Sequence, residues 1–105
     1  MIDRDFFDKK YPDITDNLKC VYDPEIPIDI YELGLIYDIN VAEDNSCMIT
    51  MTLTSPACPV AEQLPESVQR AVEKAGYDPV KINLTFDPPW EKDFVSNDGR
   101  LMLGF

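Results

Sequence analysis

Hydrophobic residues recur at helical spacing in the first third of the chain. Asp13 is a good helix N-cap, and Asp16 adds negative charge to the first turn that follows it. The helix should end at Asp23, because a residue that precedes a proline is pushed out of the helical region. The apolar positions of this predicted helix are Ile14, Leu18, Val21 and Tyr22.

The pattern then changes from helical spacing to strict alternation, which predicts three strands. The first strand covers about 35–41, the second about 47–54 and the third 80–86. The expected apolar faces are Leu35, Tyr37, Ile39 and Val41 in the first strand, Ile49, Met51 and Leu53 in the second, and Val80, Ile82, Leu84 and Phe86 in the third. A short polar turn at 43–46 makes the first two strands an antiparallel hairpin.

A second helix is predicted between the second and third strands. Pro59 suits its first position and Gly76 its C-terminal cap, whereas Pro65 should kink the helix or restart it. Its apolar stripe comprises Val60, Leu64, Val68, Ala71, Val72 and Ala75. The chain beyond the third strand is expected to form an irregular tail, which Trp90 anchors.

The order helix, strand, strand, helix, strand predicts an α/β (α+β) fold. The second and third strands flank a crossover helix, so they can lie parallel with a right-handed connection. We therefore expect a small mixed three-stranded sheet with two helices packed on one face. Residues 1–12 are expected to form an N-terminal arm, and residues 13–105 a single domain.

The net charge of the chain narrows the classes of partner that it is expected to bind. The 105 residues include 9 Lys and Arg against 20 Asp and Glu, which gives a net charge of −11. So acidic a chain disfavours binding to nucleic acid and to anionic membranes, because both attract basic surfaces. No apolar run approaches the length of a membrane span, and residues 1–10 contain no signal-peptide core. The expected location is the cytoplasm.

The sequence contains no histidine and three cysteines, Cys20, Cys47 and Cys58. A catalytic triad or a cysteine–histidine pair is therefore excluded within the chain. The cysteines form no CxxC motif, and a single chain does not supply the four cysteines of a usual iron–sulfur or zinc site. Cys20 and Cys47 are expected to be structural, since free cysteine usually acts as a small hydrophobic residue.

Cys58 is the main candidate for chemistry. It lies between Pro56 and Pro59, where a strand ends and a helix starts. Free backbone N–H groups and the positive end of a helix favour a thiolate at such a place, and Cys58 is also the candidate metal ligand. The alternative from the residues alone is a small buried hydrophobic side chain at a tight turn.

Two further groups of residues could support Cys58. Asp23 and Glu25 lie in a loop stiffened by prolines, where paired carboxylates can share a proton or bind a hard cation. The alternative is that Asp23 accepts bonds from its own backbone and Glu25 is solvated. Thr54 and Ser55 lead directly into the Cys58 loop, although threonine is also common on solvated strand faces.

Four segments together resemble the SufT/PaaD-like family of iron–sulfur cluster assembly proteins. They are DPEIP at 23–27, YELGLIY at 31–37, MTLTSPACP at 51–59 and DPPW at 87–90, followed by the tail at 96–104. The resemblance implies a compact α/β domain, with the reactive cysteine of the family at Cys58 and its acidic loop residue at Asp23. The chain ends without a cysteine-rich C-terminal segment, so it is more similar to the single-domain, SufT-like members.

The resemblance also implies a function. It predicts an assembly or targeting factor, not an enzyme, which helps iron–sulfur proteins to mature and binds an iron–sulfur cluster or iron transiently. Its partners would be assembly proteins and client apoproteins, and a homodimer would bring two Cys58 thiols together. The alternatives are a thiol-dependent enzyme that uses Cys58, and a structural accessory module of an oxygenase-type complex.

Overall fold

A computed structural model describes residues 4–22, 28–53 and 63–104. The elements are α1 (Arg4–Lys10), α2 (Pro12–Leu18), α3 (Ile30–Leu33), β1 (Ile36–Val41), β2 (Cys47–Met51), α4 (Gln63–Lys74), β3 (Val80–Leu84), a 3₁₀ turn (Lys92–Phe94) and α5 (Asn97–Leu103). Within these residues no helix is both long enough and apolar enough to cross a membrane.

The sheet has the predicted topology, with the strands in the order β1-β2-β3. β1 pairs antiparallel with β2, and β3 pairs parallel with β2 after the crossover through α4. One face of the sheet is buried, whereas Met48, Lys81 and Asn83 on the other face are exposed. The α/β fold with a mixed three-stranded sheet is therefore confirmed.

The core fills the space between the buried face of the sheet and the helices. α4 packs on β3, and α2 packs on α4. Burying these apolar side chains is the main stabilising contribution to such a fold. The central members of the core are Ile14 and Leu18 of α2, Ile49 and Met51 of β2, and Leu64, Val68 and Val72 of α4.

Several elements differ from the prediction in their bounds or their course, and β2 ends at Met51 and not at residue 54. α2 begins at Pro12 after Tyr11, so Asp13 lies in its first turn and is not the N-cap, and α2 ends at Leu18, well before residue 23. α4 continues through Pro65 without a restart, because backbone N–H groups in the first turn have no acceptor within the helix. β3 ends at Leu84 and not at residue 86.

A β-bulge corrects the predicted faces of β1. The pairing of β1 with β2 shifts between Ile36 and Asp38, so one extra residue, Tyr37, lies between two paired positions. Ile36 consequently shares the buried face with Ile39, although strict alternation placed these two residues on opposite faces. A bulge inserts one residue and reverses the alternation beyond it.

The predicted irregular tail contains regular structure. The 3₁₀ turn at Lys92–Phe94 is followed by α5, whose N-cap Ser96 accepts a hydrogen bond from the Gly99 N–H group (3.0 Å). The role of Trp90 as an anchor is confirmed, because its Nε1–H group donates to the Leu33 carbonyl (2.8 Å). The tail is therefore folded against α3.

The N-terminal residues also contact the rest of the fold. α1 lies within the predicted arm, and its Phe7 belongs to the core. The Arg4 guanidinium donates to the Phe94 carbonyl (2.8 Å), and the Tyr31 hydroxyl donates to the Arg4 carbonyl (3.0 Å). The start of the described chain is thus connected to both α3 and the tail.

Candidate functional site

The residues predicted to carry function lie outside the described part of the chain. Asp23 and Glu25 fall in the segment 23–27, and Thr54, Ser55 and Cys58 fall in the segment 54–62. Their roles therefore stay predictions. The structure does describe the residues that flank both segments, and these residues show which elements the segments connect.

The residues on either side of the segment 23–27 are paired with each other. The Ile30 N–H group donates to the Val21 carbonyl (2.8 Å), and Tyr22 forms an antiparallel bridge with Asp29. Asp29 is the N-cap of α3, and its carboxylate accepts a hydrogen bond from the Glu32 N–H group (2.9 Å). Burial raises the pKa of Asp29, and its backbone hydrogen bonds oppose that rise. The segment is thus anchored at a fixed bridge.

The segment 54–62 follows the carboxyl end of β2. The last described residues before it, Thr52 and Leu53, are both buried, and the Thr52 N–H group donates to the Leu35 carbonyl (2.8 Å). The chain is described again from Gln63, where α4 begins. In open α/β sheets, ligands bind beyond the carboxyl ends of the strands. The predicted thiol at Cys58 belongs to a segment that starts at such an end.

The helices that border the two segments in the chain, α2 before the first and α4 after the second, pack on each other. Two hydrogen bonds show that α2 and α4 run antiparallel: the Tyr77 hydroxyl, just beyond α4, donates to Asp13 (2.9 Å), and Asn17 donates to the Ala71 carbonyl (2.9 Å). α2 therefore runs toward the start of α4, and Asn17, near the end of α2, lies beside Ala71 in the last third of α4.

The other two cysteines differ in their exposure. Cys47 is buried in the core, and burial, with a smaller contribution from the charge of Asp13, raises the pKa of its thiol to about 11. This agrees with a structural role. Cys20 is exposed just beyond α2, where its thiol donates to the Asp16 carbonyl (3.6 Å). Its exposure differs from the expected packing of Cys20 as a small hydrophobic residue, because α2 ends at Leu18, before this position.

The sequence prediction missed a charged cavity of about 660 Å³ between α1, α3 and α5. The Glu32 carboxylate accepts a hydrogen bond there from the Ser96 hydroxyl, and the Glu32 main-chain carbonyl accepts one from the Ser96 N–H group (2.9 Å). Asp8 forms an ion pair with Lys19 (3.8 Å). Within residues 4–22, 28–53 and 63–104, no group of three or more cysteine, aspartate or glutamate side chains lies close enough together to hold a metal ion. The cavity forms only where the tail folds back, so no local motif predicts it.

Comparison with known proteins adds a family to this geometry. Residues 12–84 match the family described as iron–sulfur cluster assembly protein. An "Fe-S protein maturation auxiliary factor" of Porphyromonas gingivalis is 50% identical over 94 residues, which cover 89% of this chain and 90% of the relative. The "Fe-S protein maturation auxiliary factor SufT" of Staphylococcus aureus is 39% identical, over 80% of this chain and 97% of its own.

A solved structure shows the same fold. The crystal structure of a domain of unknown function, DUF59, from Bacillus anthracis superposes with a TM-score of 0.83 at 35% identity. The superposition covers 96% of this chain and 94% of that one. Similarity thus extends over nearly the whole length of both chains, in sequence and in three dimensions.

Proposed function

The chain belongs to the family of iron–sulfur cluster assembly proteins, and from that membership we propose that it is an auxiliary factor for the maturation of iron–sulfur proteins. The observation that carries the proposal is the 50% identity to a maturation auxiliary factor over 89% of the chain. Its partners would be client apoproteins and the assembly proteins that supply their clusters. The cluster is cargo that passes between proteins.

We further propose that the Cys58 thiol is the contact with iron, with the cluster or with a partner thiol. Cys47 is poorly suited to that role, because its thiol is buried and its pKa is raised to about 11. Only a thiolate acts as nucleophile or metal ligand. Cys20 is exposed but lies beside the Asp16 carbonyl at the far end of a helix, whereas Cys58 precedes a helix in the sequence. Cys58 is thus the best placed of the three cysteines.

The acidic residues Asp23 and Glu25, with Thr54 and Ser55, would support this thiol. Support for this arrangement comes from the antiparallel packing of α2, which precedes the first segment, on α4, which follows the second, because α2 then runs toward the start of α4. An ionised carboxylate forms strong, charge-assisted hydrogen bonds with backbone N–H groups. We propose that Asp23 shapes the Cys58 loop in this way or holds a cation beside it.

One experiment tests the function and the thiol separately. Cluster insertion into an apo-ferredoxin is followed by absorbance under anaerobic, reducing conditions, with and without the protein. We expect acceleration by the wild-type protein and by the matched control Cys20→Ser, and loss of that acceleration with Cys58→Ser. If the wild-type protein fails to accelerate insertion, the maturation role is refuted in this assay. If Cys58→Ser acts like the wild-type protein, the role proposed for the thiol is refuted and the maturation role stands.

A further inference from the structure

The outer edge of β3 offers backbone groups that have no hydrogen-bond partner among residues 4–22, 28–53 and 63–104. β3 is the last strand of the described sheet and runs parallel to β2. The Cys47 N–H group donates to the Pro79 carbonyl (2.9 Å), and the Thr85 N–H group donates to the Met51 carbonyl (2.8 Å). Backbone groups alternate in direction along a strand, so Lys81 and Asn83 direct theirs toward β2. Three residues direct their N–H and C=O groups outward: Val80, Ile82 and Leu84.

The side chains of these outward-directed residues are apolar. Val80 is buried, Ile82 is half-buried, and Leu84 is 39% exposed. Phe86, two positions further along the chain, is 41% exposed. An edge strand that combines free backbone groups with exposed apolar side chains is a template for another strand.

The opposite edge of the sheet is protected. β1 contains the bulge at Tyr37, whose hydroxyl donates to the Pro88 carbonyl (2.7 Å), and it carries the exposed carboxylate of Asp38. Bulges and charged residues are the usual features that prevent pairing at an edge. β3 pairs with β2 through five consecutive residues, Val80 to Leu84, without a register shift. The two edges therefore differ in their ability to accept a strand.

The charges of β3 are compatible with a second copy of this chain as the partner. The chain has a net charge of −11, yet residues 79–86, between Asp78 and Asp87, carry a single charged side chain, Lys81. Two copies can therefore pair through Val80 to Leu84 without carboxylates directly opposite each other within the paired strands. If the strands pair antiparallel around Ile82, the midpoint of β3, Lys81 lies opposite Asn83 of the second copy and Val80 lies opposite Leu84. No like charges oppose each other in this register, which avoids the destabilisation that such pairs cause.

We propose that β3 pairs antiparallel with β3 of a second copy, around a two-fold axis at Ile82, and joins the two sheets into one. The pairing leaves the ladder between β2 and β3 intact, since it uses only the outward backbone groups. It covers Leu84 with an apolar neighbour. This interface goes beyond the maturation role and does not depend on Cys58, iron or a client protein.

The test is sedimentation velocity of the cluster-free, reduced protein over a wide concentration range. We expect a monomer–dimer equilibrium in the wild-type protein. Asn83→Lys places two lysine pairs in each dimer and should weaken association roughly fivefold, as expected for like charges opposite each other on paired strands. Lys81→Glu combined with Asn83→Lys creates opposite-charge pairs and should restore association. Asn40→Lys, on the exposed face of β1, adds the same charge at the other edge and should not weaken association.

Three results would overturn the proposal. If the wild-type protein is a monomer at every concentration, the proposed interface does not form. If Asn83→Lys and Asn40→Lys weaken association equally, association does not involve β3. Failure of the double variant to restore the dimer contradicts the register around Ile82. Circular dichroism confirms that each variant is folded, which is expected because Asn83, Lys81 and Asn40 are all exposed. No outcome depends on the cluster-insertion assay.

Discussion

Replacing Gly34 by alanine is expected to destabilise the protein far more than the same replacement at Gly76. Both glycines have positive φ angles, +88° at Gly34 and +104° at Gly76, which disfavour any side chain. They differ in their surroundings. A Cβ atom at Gly34 would lie 2.8 Å from the carbonyl carbon and from the Cβ atom of Phe94, and closer still to the Phe94 carbonyl oxygen. At Gly76 nothing within the described residues lies within 4 Å.

The expected difference in stability between the two variants follows from backbone conformation, which affects both, and from overpacking, which affects Gly34→Ala alone. A non-glycine residue in the left-handed region costs about 1–2 kcal/mol. Overpacking against neighbours that cannot move freely adds about 1–3 kcal/mol. Gly34→Ala should therefore lower the free energy of unfolding by about 2–5 kcal/mol, and Gly76→Ala by about 1–2 kcal/mol. Domains are stable by about 5–15 kcal/mol, so Gly34→Ala removes a large share of the total.

Urea unfolding measures both variants under the same conditions. Far-ultraviolet circular dichroism follows the secondary structure, and the fluorescence of Trp90, the single tryptophan, follows the packing around α3. The gain that alanine brings by restricting the unfolded chain is common to both variants and cancels in the comparison. If the two variants lose equal stability, Phe94 does not approach Gly34 closely, and the reasoning fails.

Three further predictions concern reactivity, the acidic loop and pH. Alkylation near neutral pH, read by mass, should modify Cys58 while Cys47 stays unmodified, because the Cys47 thiol is buried with its pKa raised to about 11; equal rates would contradict this. Asp23→Ala should slow cluster insertion and lower the unfolding temperature together, since one carboxylate would hold several N–H groups; unchanged values of both would refute it. Burial, with a contribution from Asp13, raises the pKa of Tyr77 to about 12. Between a pH of about 10 and a pH of about 12, the unfolded chain therefore loses a proton that the folded chain keeps. The free energy of unfolding falls over this pH range. Urea unfolding should show a smaller fall in stability over this pH range for Tyr77→Phe than for the wild-type protein. An identical fall would contradict the assignment of this pH dependence to Tyr77.

The sheet and its crossover could be predicted because they depend on local alternation and on chain direction. The parallel pairing of β2 with β3 follows from two apolar strands separated by one helix. The register, with Cys47 opposite Val80 and Met51 opposite Leu84, is known only from the structure. The buried face of β1 could not be predicted fully. The bulge at Tyr37 depends on pairing with β2, and no property of residues 36–38 alone encodes it.

The elements that depend on contacts between distant residues could not be predicted from the sequence either. α5 has a serine N-cap and a glycine C-cap, but Gly99 in its interior weakens the helical pattern. Gly99 is needed because a Cβ atom there would lie 2.8 Å from the Val95 Cγ1 atom. The charged cavity likewise requires Glu32 and Ser96, which are 64 residues apart, to meet. Such requirements appear only when the chain has folded.

The contacts of α3 also have a consequence for synthesis of the protein. Trp90 and Ser96 bond to α3 across 57 and 64 residues, and the Arg4–Phe94 bond spans 90. Contacts between distant residues close large loops and slow the search for the native state. A nascent chain in which residues 90–96 are still inside the ribosome therefore lacks the partners that fix α3. Folding of this domain is completed only when these residues have left the ribosome and can return to α3.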